Sequence, residues 1–299
     1  MIDFHVHLYS ADDLPANQAQ FPYVLPEPHP VKDYLDRLID LGMKPRLVNN
    51  VHLSILPDSE NVFRAFNTLA ELKSENIERY GDIEMIGTIL ACPQYATPER
   101  LNHPQIKGIR FVLHDADPES ISPESYSTPD WQSLYARLRA DQHIHIYAQE
   151  PEANLRVLRQ LPEDQVVIID HLGTCRANRG VKDPAYKALL DEAKKRGNVF
   201  FKGPGYRTAN TPEEVLPFTK EIVQRLGADR LILEASDAPH VGLDASDHPY
   251  KALFTPESAL EFTLRLAKLT AEHSDLSYQT VLNAACNKII NPSEEKNND

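Results

Sequence analysis

The chain alternates between short apolar runs and longer stretches with helical spacing. The runs cover residues 2–7, 46–51, 85–90, 108–113, 144–148, 166–170, 199–202 and 231–235. Val166-Val167-Ile168-Ile169 is apolar and β-branched on consecutive positions. That is the pattern of a parallel strand buried on both faces. Between the runs, apolar residues recur at i, i+3 and i+4 over residues 33–41, 59–80, 131–140, 152–161, 184–196 and 213–226. Two further helical stretches, 256–272 and 277–290, follow the last run. Helix starts are punctuated by Pro, Ser, Thr or Asp, as in Thr211-Pro212-Glu213-Glu214 and Thr255-Pro256-Glu257.

Eight β-then-α units in 299 residues predict an α/β fold, a (β/α)8 TIM barrel with extra C-terminal helices. A doubly wound open sheet is the runner-up, weakened by the lack of a GxGxxG after the first run. Residues 1–292 read as one domain and 293–299 as a polar tail. Two Pro-rich or acidic loops, 12–30 and 116–129, suit a cover over the barrel mouth or plain surface connections. Phe21 and Tyr23 give the first an apolar anchor.

Composition narrows the partners. A formal net charge of −13 disfavours nucleic acid and anionic membrane surfaces, and no basic stripe overrides it. Three widely spaced cysteines form no disulfide framework and no CxxC site. With no leader pattern and no apolar run near the ~20 residues of a bilayer span, the expectation is a soluble, cytoplasmic protein. It is expected to be a monomer or small homo-oligomer.

The chemistry begins at His5-Val6-His7. In a strand, residues i and i+2 share a face, so both imidazoles enter one space. A barrel keeps its chemistry at the C-terminal ends of its strands. There the chain offers Arg110 after run four and Tyr147 and Gln149 after run five. Asp170-His171-Leu172-Gly173 follows run six, Lys202 to Arg207 run seven, and Ser236-Asp237-Ala238-Pro239-His240 run eight.

HxH on the first strand, DHxG on the sixth and SDxPH after the eighth resemble the amidohydrolase superfamily, of the amidohydrolase-2 type. Gly108-Ile109-Arg110-Phe111 and the stretch from Lys202 to Arg207 resemble its metal-independent lactonase branch. That branch contains 2-pyrone-4,6-dicarboxylate lactonase and sugar lactonases. Binuclear members carry a lysine or carboxylate after strand four and a histidine after strand five. This chain has Arg110 and Tyr147 there, and His143 and His145 lie too early in the run. The remaining His5, His7, His171 and Asp237 are too few for two metals, though they suit one Zn²⁺. The resemblance implies no cofactor.

On this reading Asp237 is the general base for water, and His5, His7 and His171 donate N–H groups to the developing oxyanion. Arg110 and Arg207 clamp an anionic substrate. Tyr147 hydrogen-bonds the substrate, as the family match suggests. Gln149, His52, Lys202 and His240 are weaker candidates for which supporting or structural roles are favoured; Gln149 is still counted with the substrate-binding set. Plain alternatives stand beside these roles: a turn aspartate ahead of Pro239, a core histidine at 171, a loop ion pair at Arg207 and a buried structural tyrosine. Residues 112–117 hold no second arginine, so a mono-anionic or sugar-acid lactone is favoured over the pyrone dicarboxylate, with His114 able to bond a hydroxyl. The competing functions are a Zn²⁺-dependent hydrolase or decarboxylase, a lactone isomerase, and a non-catalytic barrel that binds a small carboxylate.

Overall fold

Consecutive apolar residues let a strand bury both faces, one against helices and one inside a barrel. The computed structural model describes residues 1–14, 27–53, 56, 59–113, 122, 124–239 and 256–290. Its strands are β1 (Ile2–Val6), β2 (Leu47–Val51), β3 (Glu84–Leu90), β4 (Ile106–Leu113), β5 (His143–Ala148), β6 (Val166–Ile169), β7 (Val199–Lys202) and β8 (Leu231–Ile232). They form one sheet in chain order, with each neighbouring pair parallel. Beyond β8 the chain turns its hydrogen bonds to β1. Phe4 N–H donates to the Glu234 carbonyl (2.7 Å), Asp237 N–H to the His5 carbonyl (2.7 Å) and His7 N–H to the Ala238 carbonyl (2.8 Å). These bonds bring the sheet nearly to closure as the (β/α)8 barrel.

The regular part of β8 is shorter than the predicted run, 231–235. Its partner β7 leads into Gly203-Pro204, and proline lacks the N–H needed to extend the ladder. The chain from Leu233 onward therefore serves β1.

The helices are α1 (Val31–Asp40), α2 (Asn61–Glu75), α3 (Ile77–Tyr80), α4 (Pro98–Leu101), α5 (Pro129–Tyr135), α6 (Pro151–Leu158), α7 (Pro184–Arg196), α8 (Pro212–Leu226), α9 (Pro256–Glu272) and α10 (Tyr278–Ile290). In α1 the buried Val31, Tyr34, Leu35 and Leu38 give the i, i+3, i+4, i+7 stripe. The predicted helix over 59–80 breaks at Asn76, whose side chain leaves the helix to accept the Arg79 N–H and start α3. The predicted helix over 131–140 is the shorter α5. The four-residue α4 is too short to leave a periodic signal. Asp183 caps α7 by accepting from the Ala185 and Tyr186 N–H groups, and Gly197 ends it at φ +73°. No helix among the described residues is long and apolar enough to cross a membrane.

Side chains alternate between the helix-facing core and the barrel interior. Ile2, Phe4, Leu47, Ile168, Phe200 and Ile232 fill the interior at the N-terminal end, joined by Ala285 and Cys286 of α10. A bulge in β1 interrupts the alternation. Asp3 pairs with Val48, but Val6 pairs with Asn50, so β1 carries one extra residue. Phe4 and His5 therefore both turn inward: the Phe4 ring lies 5.7 Å from that of His143 and the His5 ring 5.0 Å from that of His145. Asp3 faces outward and ties the seam. Its carboxylate accepts from Tyr34 Oη (2.6 Å), Ser236 N (2.9 Å), Ser236 Oγ (2.5 Å) and His5 N (3.1 Å).

Candidate active site

One layer above the apolar plug, the barrel interior becomes ionic. His5 from β1, Arg110 from β4, His145 from β5, Asp170 after β6, Lys202 from β7 and Asp237 after β8 are all buried there. His7, Tyr147 and His171 are buried beside them, and Arg207 is half-buried. The structure thus gathers His5, His7, His171 and Asp237 from three sequence-distant regions. His5 Nε2 is 3.1 Å from His7 Nε2 and 3.2 Å from Asp237 Oδ1, and His171 Nε2 is 3.8 Å from Asp237 Oδ2.

Two of these residues hang on unusual backbone. His171 (φ +48°), Leu172 (φ +55°) and Thr174 (φ +56°) occupy the left-handed region, as does Asp237 (φ +58°). Such conformations cost roughly 1–3 kcal/mol each and concentrate at functional sites. Here they turn the side chains back over the barrel axis.

The hydrogen bonds assign ring roles. His7 Nδ1–H donates to the Val51 carbonyl at 2.9 Å, which turns its Nε2 toward His5. Arg207 Nε donates to His171 Nε2 at 3.1 Å, so that nitrogen is an acceptor. His171 Nε2 is thus taken up by Arg207, while its Nδ1 has no hydrogen-bond partner among the described residues. The cationic donors are Arg207, Arg110 and Lys202, and His5 Nε2–H lies between His7 and Asp237.

Two carboxylates carry the electrostatics. Asp170 Oδ2 accepts from Arg110 Nε (3.1 Å) and Nη2 (2.9 Å), and its Oδ1 from His145 Nε2 (2.7 Å). Asp237 Oδ2 accepts from Tyr206 Oη at 2.6 Å. Lys202 Nζ joins them, 3.0 Å from Asp170 Oδ1 and 3.1 Å from Asp237 Oδ1. Burial alone would raise both acids. Around Asp170, His145, Lys202, Arg110 and His5 overcome it; around Asp237, Lys202, His171, His5 and Arg207 do so. Both carboxyls are held well below their ordinary range. Burial, with Lys202 beside them, pushes His5 and His171 well below the ordinary imidazole range.

The resemblance to amidohydrolases raises the question of a metal. Among the described residues, His5, His7 and Asp237 form one group whose ligand atoms lie close enough to share an ion, and His5, His145 and Asp170 form another. Imidazole with carboxylate suits Zn²⁺. Yet the Oδ1 atom of each carboxylate already accepts from the Lys202 ammonium. Asp170 and Asp237 are matched by two buried cations, Lys202 and Arg110, so a divalent ion would add uncompensated charge. With Lys202 charged and in place, the residues do not fit a metal.

The remaining sequence candidates fall as follows. Arg110 reaches the site with Nε and Nη2 on Asp170. The Tyr147 ring neighbours two guanidiniums, 5.8 Å from that of Arg110 and 5.6 Å from that of Arg207. Gln149 is exposed past the end of β5, and no contact with the buried cluster is seen among the described residues. His52 donates Nε2–H to the Ser59 carbonyl at 3.1 Å and so braces the loop before α2. His240, His114, Phe21, Tyr23 and the 293–299 tail lie outside the described residues. Sequence reasoning passed over Asp170, Tyr206 and His145 and ranked Lys202 low. The usable signal was the lone charged residue ending Val199-Phe200-Phe201-Lys202.

Comparison with known proteins places this barrel in a family. A probable 2-pyrone-4,6-dicarboxylic acid hydrolase from Acinetobacter baumannii, solved with citric acid bound, superposes with a TM-score of 0.70 at 20% identity, covering 97% of this chain and 98% of its own. A Pseudomonas putida protein given the same provisional name superposes at 0.67 with 23% identity, covering 98% and 97%. An apo protein from Agrobacterium tumefaciens follows at 0.61 with 19% identity, covering 97% and 94%. No curated protein matches by sequence. The amidohydrolase family model matches residues 2–272, and the chain belongs to the amidohydrolase family.

Proposed function

We propose that the protein is a hydrolase that opens a carboxylate-bearing lactone of the sugar-acid or pyrone-like kind. The observation that carries this reading is the meeting of Asp237 with His5, His7 and His171 beneath the Arg207 guanidinium. Ring opening needs a base for water, positive charge for the developing oxyanion and a grip on the substrate. Asp237 takes the proton. Lys202 and Tyr206 fix its orientation through Oδ1 and Oδ2.

A carboxylate held so low is a weak base in isolation. The field that lowers it also lowers the pKa of a water beside it, and the difference between the two governs proton transfer. Arg207 and Arg110 supply the positive charge, one to the carbonyl oxygen and one to the substrate carboxylate. Tyr147, whose ring neighbours both guanidiniums, offers its hydroxyl to the substrate. The A. baumannii neighbour holds citric acid, a small polycarboxylate, in a barrel of the same fold. That occupant supports an anionic substrate here.

The test is a panel of sugar-acid and pyrone-like lactones, read by pH indicator on chelator-treated protein. At least one should turn over, and Asp237→Asn should lower kcat by roughly 10²–10⁴-fold, the usual worth of a general base. Full turnover in Asp237→Asn removes the base assignment. Loss of activity on chelation, restored by Zn²⁺, favours the metal-dependent hydrolase instead.

A further inference from the structure

We propose that the Lys202 ammonium is the resident cation of this site, filling the role of a divalent metal and excluding one. Lysine is almost never fully buried unless paired, and here its side chain has no exposed surface. It stands on β7 directly after three apolar residues and meets two carboxylates at 3.0 and 3.1 Å.

Both groups of side chains able to hold an ion pass through this amine. Asp237 Oδ1, the oxygen shared with His5 Nε2, is one Lys202 acceptor. Asp170 Oδ1, the oxygen shared with His145 Nε2, is the other. An ion bound through that oxygen would lie about 2 Å from it. It would then share the oxygen with a positive charge among buried side chains. The unpartnered Nδ1 atoms of His5 and His145 show that the donors exceed what the lysine itself can use. The cavity keeps the ligands of a metal site and supplies the charge from a covalently attached amine. This cation cannot dissociate, and it fixes Asp237 in its ionised, oriented form.

The claim does not need the lactone reading, because its readout uses no substrate. Wild type and Lys202→Ala are stripped with chelator and dialysed against Co²⁺, and bound metal is measured by elemental analysis and visible d–d absorption. Wild type should retain no stoichiometric metal. Lys202→Ala should retain one ion, and the Lys202→Ala/His7→Ala double variant should lose it. Wild type that binds an equivalent of Co²⁺ overturns the proposal. So does a folded Lys202→Ala that binds none, or a double variant that binds as well as the single. If Lys202→Ala does not fold alone, refolding in the presence of Zn²⁺ or Co²⁺ should recover it with metal bound. Failure of that rescue also overturns the proposal.

Discussion

His143 and His145 point into the barrel from one strand, a single layer apart, and their surroundings differ completely. His143 sits among Phe4, Thr88 and the bare backbone of Gly108, where a side-chain carbon would overlap its ring. Burial pushes it down to about 3. His145 is also buried, but it donates to Asp170 and faces His5. The same step repeats around the barrel: Ile168 then Asp170 on one chain segment, Phe200 then Lys202 on the next. Below the step, removing water from apolar groups stabilises the fold. Above it, every buried charge depends on a partner, and the arrangement stabilises a geometry more than it stabilises the chain. The comparison teaches that depth along a strand, not residue type alone, divides packing from chemistry.

Mutations can break this division. Asp170→Asn leaves Arg110, Lys202 and His145 facing a neutral amide. Breaking a buried ion cluster in this way should destabilise the protein by roughly 3–5 kcal/mol, read from urea unfolding. An unchanged midpoint would show that the upper layer is solvated. Arg207→Met should raise KM for a charged lactone roughly ten- to hundredfold and leave KM for a neutral lactone little changed. Equal effects on both would remove the clamp.

Acid sharpens the contrast. His29 and His52 are pushed down to about 4 and His143 to about 3, in each case chiefly by burial. Between pH 6.5 and those values the unfolded chain binds protons that the folded chain does not. The stabilisation is therefore complete above pH 6.5 and is lost on acidification, by about 1.4 kcal/mol per pH unit for each such ring. Unfolding midpoints at pH 7 and pH 5 check this, and equal midpoints would contradict it. The smallest effect belongs to the apolar plug. Ile168→Val should cost about 1 kcal/mol and leave KM and kcat at their wild-type values.

Much of this was legible in the sequence. Eight apolar runs predicted the barrel, and the HxH pair together with the polar strand ends predicted which polar side chains meet inside it. What escaped was depth and direction. His145 looks too early in its run to matter, yet it enters the cluster because the interior-facing positions of neighbouring strands reach the same height by register, with His145 opposite Arg110. Asp170 precedes the more conspicuous His171, and only the left-handed turn at 171–174 shows that both face inward. The donor or acceptor role of His7 depends on the Val51 carbonyl, a contact between residues 44 positions apart.

The Asp3 carboxylate joins the two ends of this arrangement. It receives the Ser236 backbone and hydroxyl across 233 positions of sequence while also holding the His5 amide. During synthesis on the ribosome, β1 can meet β2 early, but the segment that presents Asp237 to His5 emerges only after all eight strands. The buried cluster is therefore an all-or-nothing property of the ring, and a nascent chain halted anywhere before that seam has the β1 histidines and no Asp237 beside them.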